Sequence, residues 1–203
     1  MKFMFLVILF QLGIFSVYCD AKKDFWSWIL ENESKISTNY PNQEISNQIY
    51  QHLIKYNPNL AVVFPSFGGK PKEIVISCSG NPSNRKSVDD LFENRPDFKQ
   101  IIVTKFIQPQ MAFEPLQILG RVVPLENIGV MAEKSGNGYI LTIYSGKFSN
   151  LDPNQIGNDL FNFFLFQFGE ERYMDKIKDV NIQPVSLMSP EIFPFTELRS
   201  RLE

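Results

Sequence analysis

Histidine is almost absent from this chain of 203 residues and cysteine is scarce: His52 is the single histidine, and Cys19 and Cys78 are the two cysteines. One histidine excludes a zinc site with two or more histidine ligands, the His-Glu-x-x-His helix and any two-histidine acid/base pair. Cys19 falls in an expected leader, which leaves Cys78 alone, so neither an internal disulfide nor a zinc site of the four-cysteine or paired cysteine-and-histidine kind is expected. Basic blocks and arginine stripes are also missing, and the aromatics lack interleaved cations, which removes nucleic acid from the expected partners. The formal net charge of −2 selects no partner of either sign. Gly68-Gly69-Lys70 lacks the Gly-x4-Gly-Lys-Ser/Thr spacing of a phosphate loop, and valine at position 75 rules out a Gly-x-Ser-x-Gly elbow around Ser77. No cofactor and no metal is therefore expected. No linker, low-complexity tract or internal repeat divides the chain.

What is present begins with a leader. Lys2 precedes an apolar run from Phe3 to Tyr18, broken only by Gln11, Gly13 and Ser16. At about 1.5 Å per residue such a run spans roughly 24 Å as a helix, short of the ~30 Å a membrane span crosses. It reads as an export signal, with Cys19 and Ala21 at the −3 and −1 positions of a signal-peptidase site. Residues 1–21 are then the signal peptide, and 22–203 a single globular domain that is secreted or periplasmic. Lipidation of Cys19 and an uncleaved anchor stay open as rivals, and either would bring membrane contact. Ser16 and bulky Tyr18 oppose the first, since lipidation prefers a leucine-like residue and a small one in those places.

The remaining pattern predicts an α+β fold: a mixed β-sheet with a helical hairpin and an aromatic-rich helix packed on it. Asp24 is placed to cap a first helix running to about Ser37, with Phe25, Trp26, Ile29 and Ile36 on or near one face. After Tyr40-Pro41, the four-residue spacing of Ile45, Ile49 and Leu53, flanked by Tyr56, predicts a second helix ending at Asn57-Pro58. Strands are expected over Leu60–Phe64 and Glu73–Ser79, joined by a turn at Phe67-Gly68-Gly69-Lys70-Pro71; alternation in the second points Cys78 inward. A short helix from Pro82 to Asn94 and a strand from Gln100 to Ile107 suit a parallel crossover.

From Pro115 the pattern turns to strands at Leu116–Leu119, Arg121–Val123, Ile128–Glu133 and Tyr139–Tyr144. Ser135-Gly136-Asn137-Gly138 joins the last two as a tight hairpin, with Asn-Gly as its turn. Asp152-Pro153 opens the most apolar helix, in which Leu160, Phe161, Phe164, Leu165 and Phe168 form a broad face, and Gly169 ends it. A strand over Asp179–Val185 and a segment from Thr196 to Glu203 complete the expected order.

Candidate chemistry is sparse. His52 sits at the edge of its helix's apolar stripe, as a hydrogen-bonded boundary residue, and Cys78 beside Ile74 and Ile76 reads as a small buried hydrophobe rather than a nucleophile. Glu170-Glu171 follows Gly169 without an Asp-x-Asp-x-Asn-Gly calcium loop, the ordinary reading being solvated surface. Trp26 and Trp28 lie about 200° apart on a helical wheel, so both cannot point straight inward. The sequon Asn32-Glu33-Ser34 falls inside a predicted helix.

The run Phe25-Trp26-Ser27-Trp28 with Asn32-Glu33, then Lys105-Phe106-Ile107-Gln108-Pro109, then Phe168-Gly169-Glu170, resembles a bacterial family of single-domain α+β proteins with no assigned activity. The resemblance covers most of the chain after the leader and implies no catalytic residue. Members of that family commonly look cytosolic, and the export segment here departs from that.

The functional expectation is an exported, non-enzymatic binding or interaction domain whose partner is a protein or a small-molecule ligand, with Trp28, Gln108 and Glu170 as candidate contact residues. One alternative is a carboxylate-dependent hydrolase using Glu170 or Glu171 with Lys105, which requires these groups to converge in one cleft. The other is a membrane-anchored envelope component, which requires the leader to stay attached.

Overall fold

The structure, a computed structural model, describes residues 20–40, 42–65, 72–109, 115–148, 153–183 and 191–202. The leader through Cys19 and the expected turn at Phe67 to Pro71 lie outside the described residues. Helices and mixed sheets make an α+β fold, distributed over two compact units that divide between Phe106 and Ile107.

The first unit begins with α1, a helix over residues 20–31, and α2 (Glu33–Asn39). Asp24 is not the cap, because the helix already runs at Asp20, and Asp24 lies exposed within it. The break comes instead at Asn32, whose side chain donates to the Trp28 carbonyl at 2.9 Å while Ile36 N–H bonds the Asn32 carbonyl. Phe25, Trp26, Ile29 and Ile36 are buried, as their spacing requires. Helix α3 (Gln43–Tyr56) completes the hairpin, its N-terminus capped by the Asn42 side chain accepting from Glu44 N–H at 2.8 Å. Its stripe of Ile45, Ile49, Leu53 and Tyr56 is buried; each fully buried aliphatic side chain contributes ~1.5–3 kcal/mol.

The sheet beneath has the order β1 (Ala61–Val63), β2 (Glu73–Ser77), β3 (Ile102–Lys105). The β1–β2 pair is antiparallel and the β2–β3 pair parallel, with Pro82–Asn84 and α4 (Arg85–Phe92) forming the crossover. Central β2 is buried on both faces from Ile74 to Ser77, which is why two-residue alternation there does not separate inside from outside. Tyr40 and Tyr56 tie the hairpin down through their hydroxyls, donating to the carbonyls of Glu73 (2.8 Å) and Ser87 (2.9 Å).

The second unit carries an antiparallel ribbon, β4 (Leu116–Ile118) with β5 (Arg121–Val123), and a four-stranded sheet. That sheet has the order β8 (Ile177–Gln183), β7 (Gly138–Tyr144), β6 (Gly129–Ser135), β9 (Phe193–Pro194). The β6–β7 hairpin forms where expected, but Ser135 pairs with Gly138, so the turn residues are Gly136-Asn137. Only Gly136 of the two takes a positive φ, +61°, the signature of a type II′ turn. Gly138 is instead a strand residue whose added Cβ would lie 2.7 Å from the Lys176 carbonyl oxygen.

Strands β7 and β8 are parallel, and the connection they need is made by α5 (Pro153–Phe168) and α6 (Glu170–Lys176). Helix α5 buries Ile156, Leu160, Phe164, Leu165 and Phe168, and Phe164 stacks on Phe168 with centroids 5.8 Å apart. Phe161, expected on that buried face, is half-buried and meets Tyr173 of α6 edge-on at 5.5 Å. The chain closes through Phe195–Glu197 and α7 (Leu198–Arg201).

Candidate functional site

Period decides which residues of α1 reach the surface. Trp26 turns inward, 5% exposed, and its indole N–H donates to the Leu91 carbonyl at 2.7 Å. Trp28, two positions on, emerges on the side facing α3 and is half-buried. There it stacks on His52, one residue before the core position Leu53, with centroids 4.6 Å apart and planes 20° from parallel. This stack is the wall shared by two open grooves. The first, of about 570 Å³, is lined by Asp20, Asp24 and Glu31 of α1 and by Lys55. The second, of about 510 Å³, is lined by Asn32, Lys35, Glu44, Asn47, Gln48 and Gln51.

Burial holds the His52 imidazole below the ordinary histidine range, and the nearby Lys55 ammonium pushes the same way, against a smaller opposing pull from Asp24. The ring is therefore neutral at pH 7, able both to donate and to accept one hydrogen bond. The groove walls offer carboxylates, carboxamides, lysines and the Ser27 hydroxyl around an aromatic face. That inventory suits recognition by stacking and hydrogen bonding. The cysteine is elsewhere: Cys78 is fully buried after β2, where residues of both faces are buried.

Gln108 and Glu170 both fall in the second unit, and Trp28 falls in the first. Gln108 is exposed. Glu170 is fully buried, and the surface expectation for it is corrected. The cause is a two-way clamp. Its carboxylate accepts from Ile107 N–H at 3.1 Å, and its own N–H donates to the Ile107 carbonyl at 2.7 Å. Gly169 makes the approach possible, with φ +77° and ψ 151°, a conformation nearly confined to glycine. An added Cβ there would stand 2.7 Å from Pro109 Cδ.

The second adjacent acid, Glu171, is exposed, so the two carboxylates do not share one environment. Lys105, the cation suggested for a hydrolase, pairs with Asp89 at 2.5 Å in the first unit. Among the described residues no group of three or more His, Cys, Asp or Glu side chains could hold a metal ion.

The chain matches no family model, no curated protein and no solved structure.

The motifs behind the bacterial-family resemblance can still be placed. Asn32 makes the helix break, and the buried Glu33 carboxylate accepts from the N–H groups of Lys99 (2.5 Å) and Gln100 (2.6 Å). Ile107 and Pro109 meet Glu170 and Gly169 in the clamp just described. The pair that sequence reasoning did not foresee is Trp28 with His52. Its signals were separate: the place of His52 at the edge of its helix's apolar stripe, and the roughly 200° between Trp26 and Trp28 that keeps both from pointing inward.

Proposed function

We propose that the chain is an exported, non-enzymatic binding domain that meets a protein or small-molecule partner through the Trp28–His52 face. The observation that carries this reading is the stack itself: a half-buried tryptophan already fixed against the sole histidine, at the wall of two open grooves. An aromatic ring held in place before contact gives up little conformational freedom on binding, and such rings dominate recognition surfaces. Against the hydrolase alternative stand the Glu170 carboxylate, committed to the Ile107 amide, and the exposure of its neighbour Glu171.

Export rests on the apolar leader, and the secreted or periplasmic location follows from it. Among the described residues no helix is long and apolar enough to cross a membrane, and the leader is outside them. Intact mass spectrometry of protein recovered from the producing cell tests this part. A mass starting at Lys22 supports it; a retained leader or a lipid on Cys19 overturns it in favour of a membrane-anchored component. Affinity capture tests the binding face. A partner held by wild type and by Glu171→Gln but lost by Trp28→Ala supports the reading, whereas capture indifferent to Trp28 overturns it.

A further inference from the structure

The two grooves flanking Trp28 and His52 differ in charge. With residues 1–21 removed, the first keeps Asp24 and Glu31 against Lys55, an excess of one carboxylate. The second has Lys35 and Glu44, which cancel, and otherwise carboxamides: Asn32, Asn47, Gln48 and Gln51. A groove whose charges balance has no net attraction for a phosphate or an ammonium group. What it offers is an aromatic wall and several groups that each donate and accept. We propose that the carboxamide-lined groove binds a neutral, hydroxyl-rich ligand, that is, an uncharged carbohydrate. This deepens the reading of Trp28–His52 as the contact face and rests on it.

The chemistry fits at each point. A sugar ring presents apolar C–H groups that pack against the aromatic carbon of Trp28 and His52 at the groove wall, and hydroxyls that need donors and acceptors side by side. A carboxamide supplies two N–H donors and two acceptor lone pairs, so one can be oriented by neighbours and still meet a hydroxyl. Gln48 is so oriented: Lys35 Nζ donates to its Oε1 at 3.3 Å, and its Nε2 donates to Glu44 Oε1 at 3.2 Å. Asn47 is steadied by Gln43, whose Nε2 donates to its Oδ1 at 2.8 Å, and Asn32 by its bond to the Trp28 carbonyl. A polar wall arranged before the ligand arrives lowers the ordering cost of binding.

Trp28 is also the reporter. The only other tryptophan, Trp26, is buried and bonded to the Leu91 carbonyl, so a ligand in this groove changes the emission of Trp28. The purified protein is titrated with N-acetylchitohexaose, cellohexaose and maltohexaose, with their monosaccharides, and with oligogalacturonate as an anionic control. The expected result is a saturable emission change with at least one neutral sugar and none with the anionic one. A response confined to the hexamers assigns the site to a glycan chain, and one shared by the monomers to a free sugar. Affinity is expected to fall about tenfold or more in Asn47→Ala and Gln51→Ala, each removing hydrogen bonds from an exposed position. No saturable response at millimolar sugar overturns the proposal, as does a response unchanged in both variants. A protein partner lost by Trp28→Ala, together with silence toward every neutral sugar, overturns the carbohydrate assignment while leaving the binding face standing. Loss of both ends both.

Discussion

At the scale of single residues, His52 shows how a neighbourhood sets a charge. Burial and Lys55 favour the neutral ring while Asp24 favours the imidazolium. Replacing Lys55 with glutamine is therefore expected to raise its pKa, and Asp24→Asn to lower it further, read from the single histidine resonance in an NMR titration. The linkage has a definite sign. The unfolded chain binds this proton more readily, so the stabilisation is complete above the ordinary value of about 6.5 and is lost as pH falls through the lowered folded value. A His52→Gln variant is expected to show a flatter loss of stability on that acid side, followed by urea denaturation. Sequence reasoning placed His52 at the edge of its helix's stripe and named Trp28 as a candidate contact, but did not join the two. Their contact depends on how α1 crosses α3, which no local spacing encodes.

Glu170 makes the same point for a carboxylate. Beside Glu171 and after a glycine it has the signature of a solvated helix end, and its burial depends on an amide 63 positions away in the chain. Glu170→Ala is expected to cost about 1–3 kcal/mol, because it strips a carboxylate partner from a buried N–H. Glu170→Gln, whose amide oxygen can still accept, is expected to cost less. Chemical denaturation distinguishes the two.

At the scale of elements, what could be read depended on how far local rules decide the outcome. The stripe of α3 was legible because four-residue spacing has one solution on a helix, whereas its capping Asn42 was not singled out. The β6–β7 hairpin was legible over Ser135–Gly138, but its two central residues are Gly136-Asn137 rather than Asn137-Gly138. Asn137-Gly138 is the stronger dipeptide signal, yet Gly138 is held in β7 against the Lys176 carbonyl, leaving Gly136 to lead the turn. Gly136→Ala is therefore expected to cost about 1 kcal/mol, while Asn137→Ala stays near neutral, compared by thermal melting. Helix α6 and strand β9 were missed for a different reason. A glycine reads as a stop, and seven or two residues are too few for periodicity to speak.

At the scale of the whole molecule, the α+β class was legible from the alternation of helical and strand patterns, while the partition of strands into separate sheets was not. Partition is fixed by tertiary pairing, such as β9 finding β6. Each unit also has its own core. In the first, Ile49 is fully buried on α3, and Ile49→Ala is expected to cost about 2–5 kcal/mol, read by tryptophan emission, since both tryptophans lie there. In the second, Phe164 sits between Phe168 and Phe195, and Phe164→Ala is expected to cost about 3–5 kcal/mol, read by far-UV circular dichroism.

The clamp of Ile107 and Pro109 onto Gly169 and Glu170 bears on kinship. Its glycine admits no side chain without collision, and its acid answers a backbone group rather than anything arriving from solvent. Another protein spelling the same letters at both places would inherit a joint and not a task. Those letters mark a scaffold, and whatever distinguishes one bearer from another lies on other surfaces.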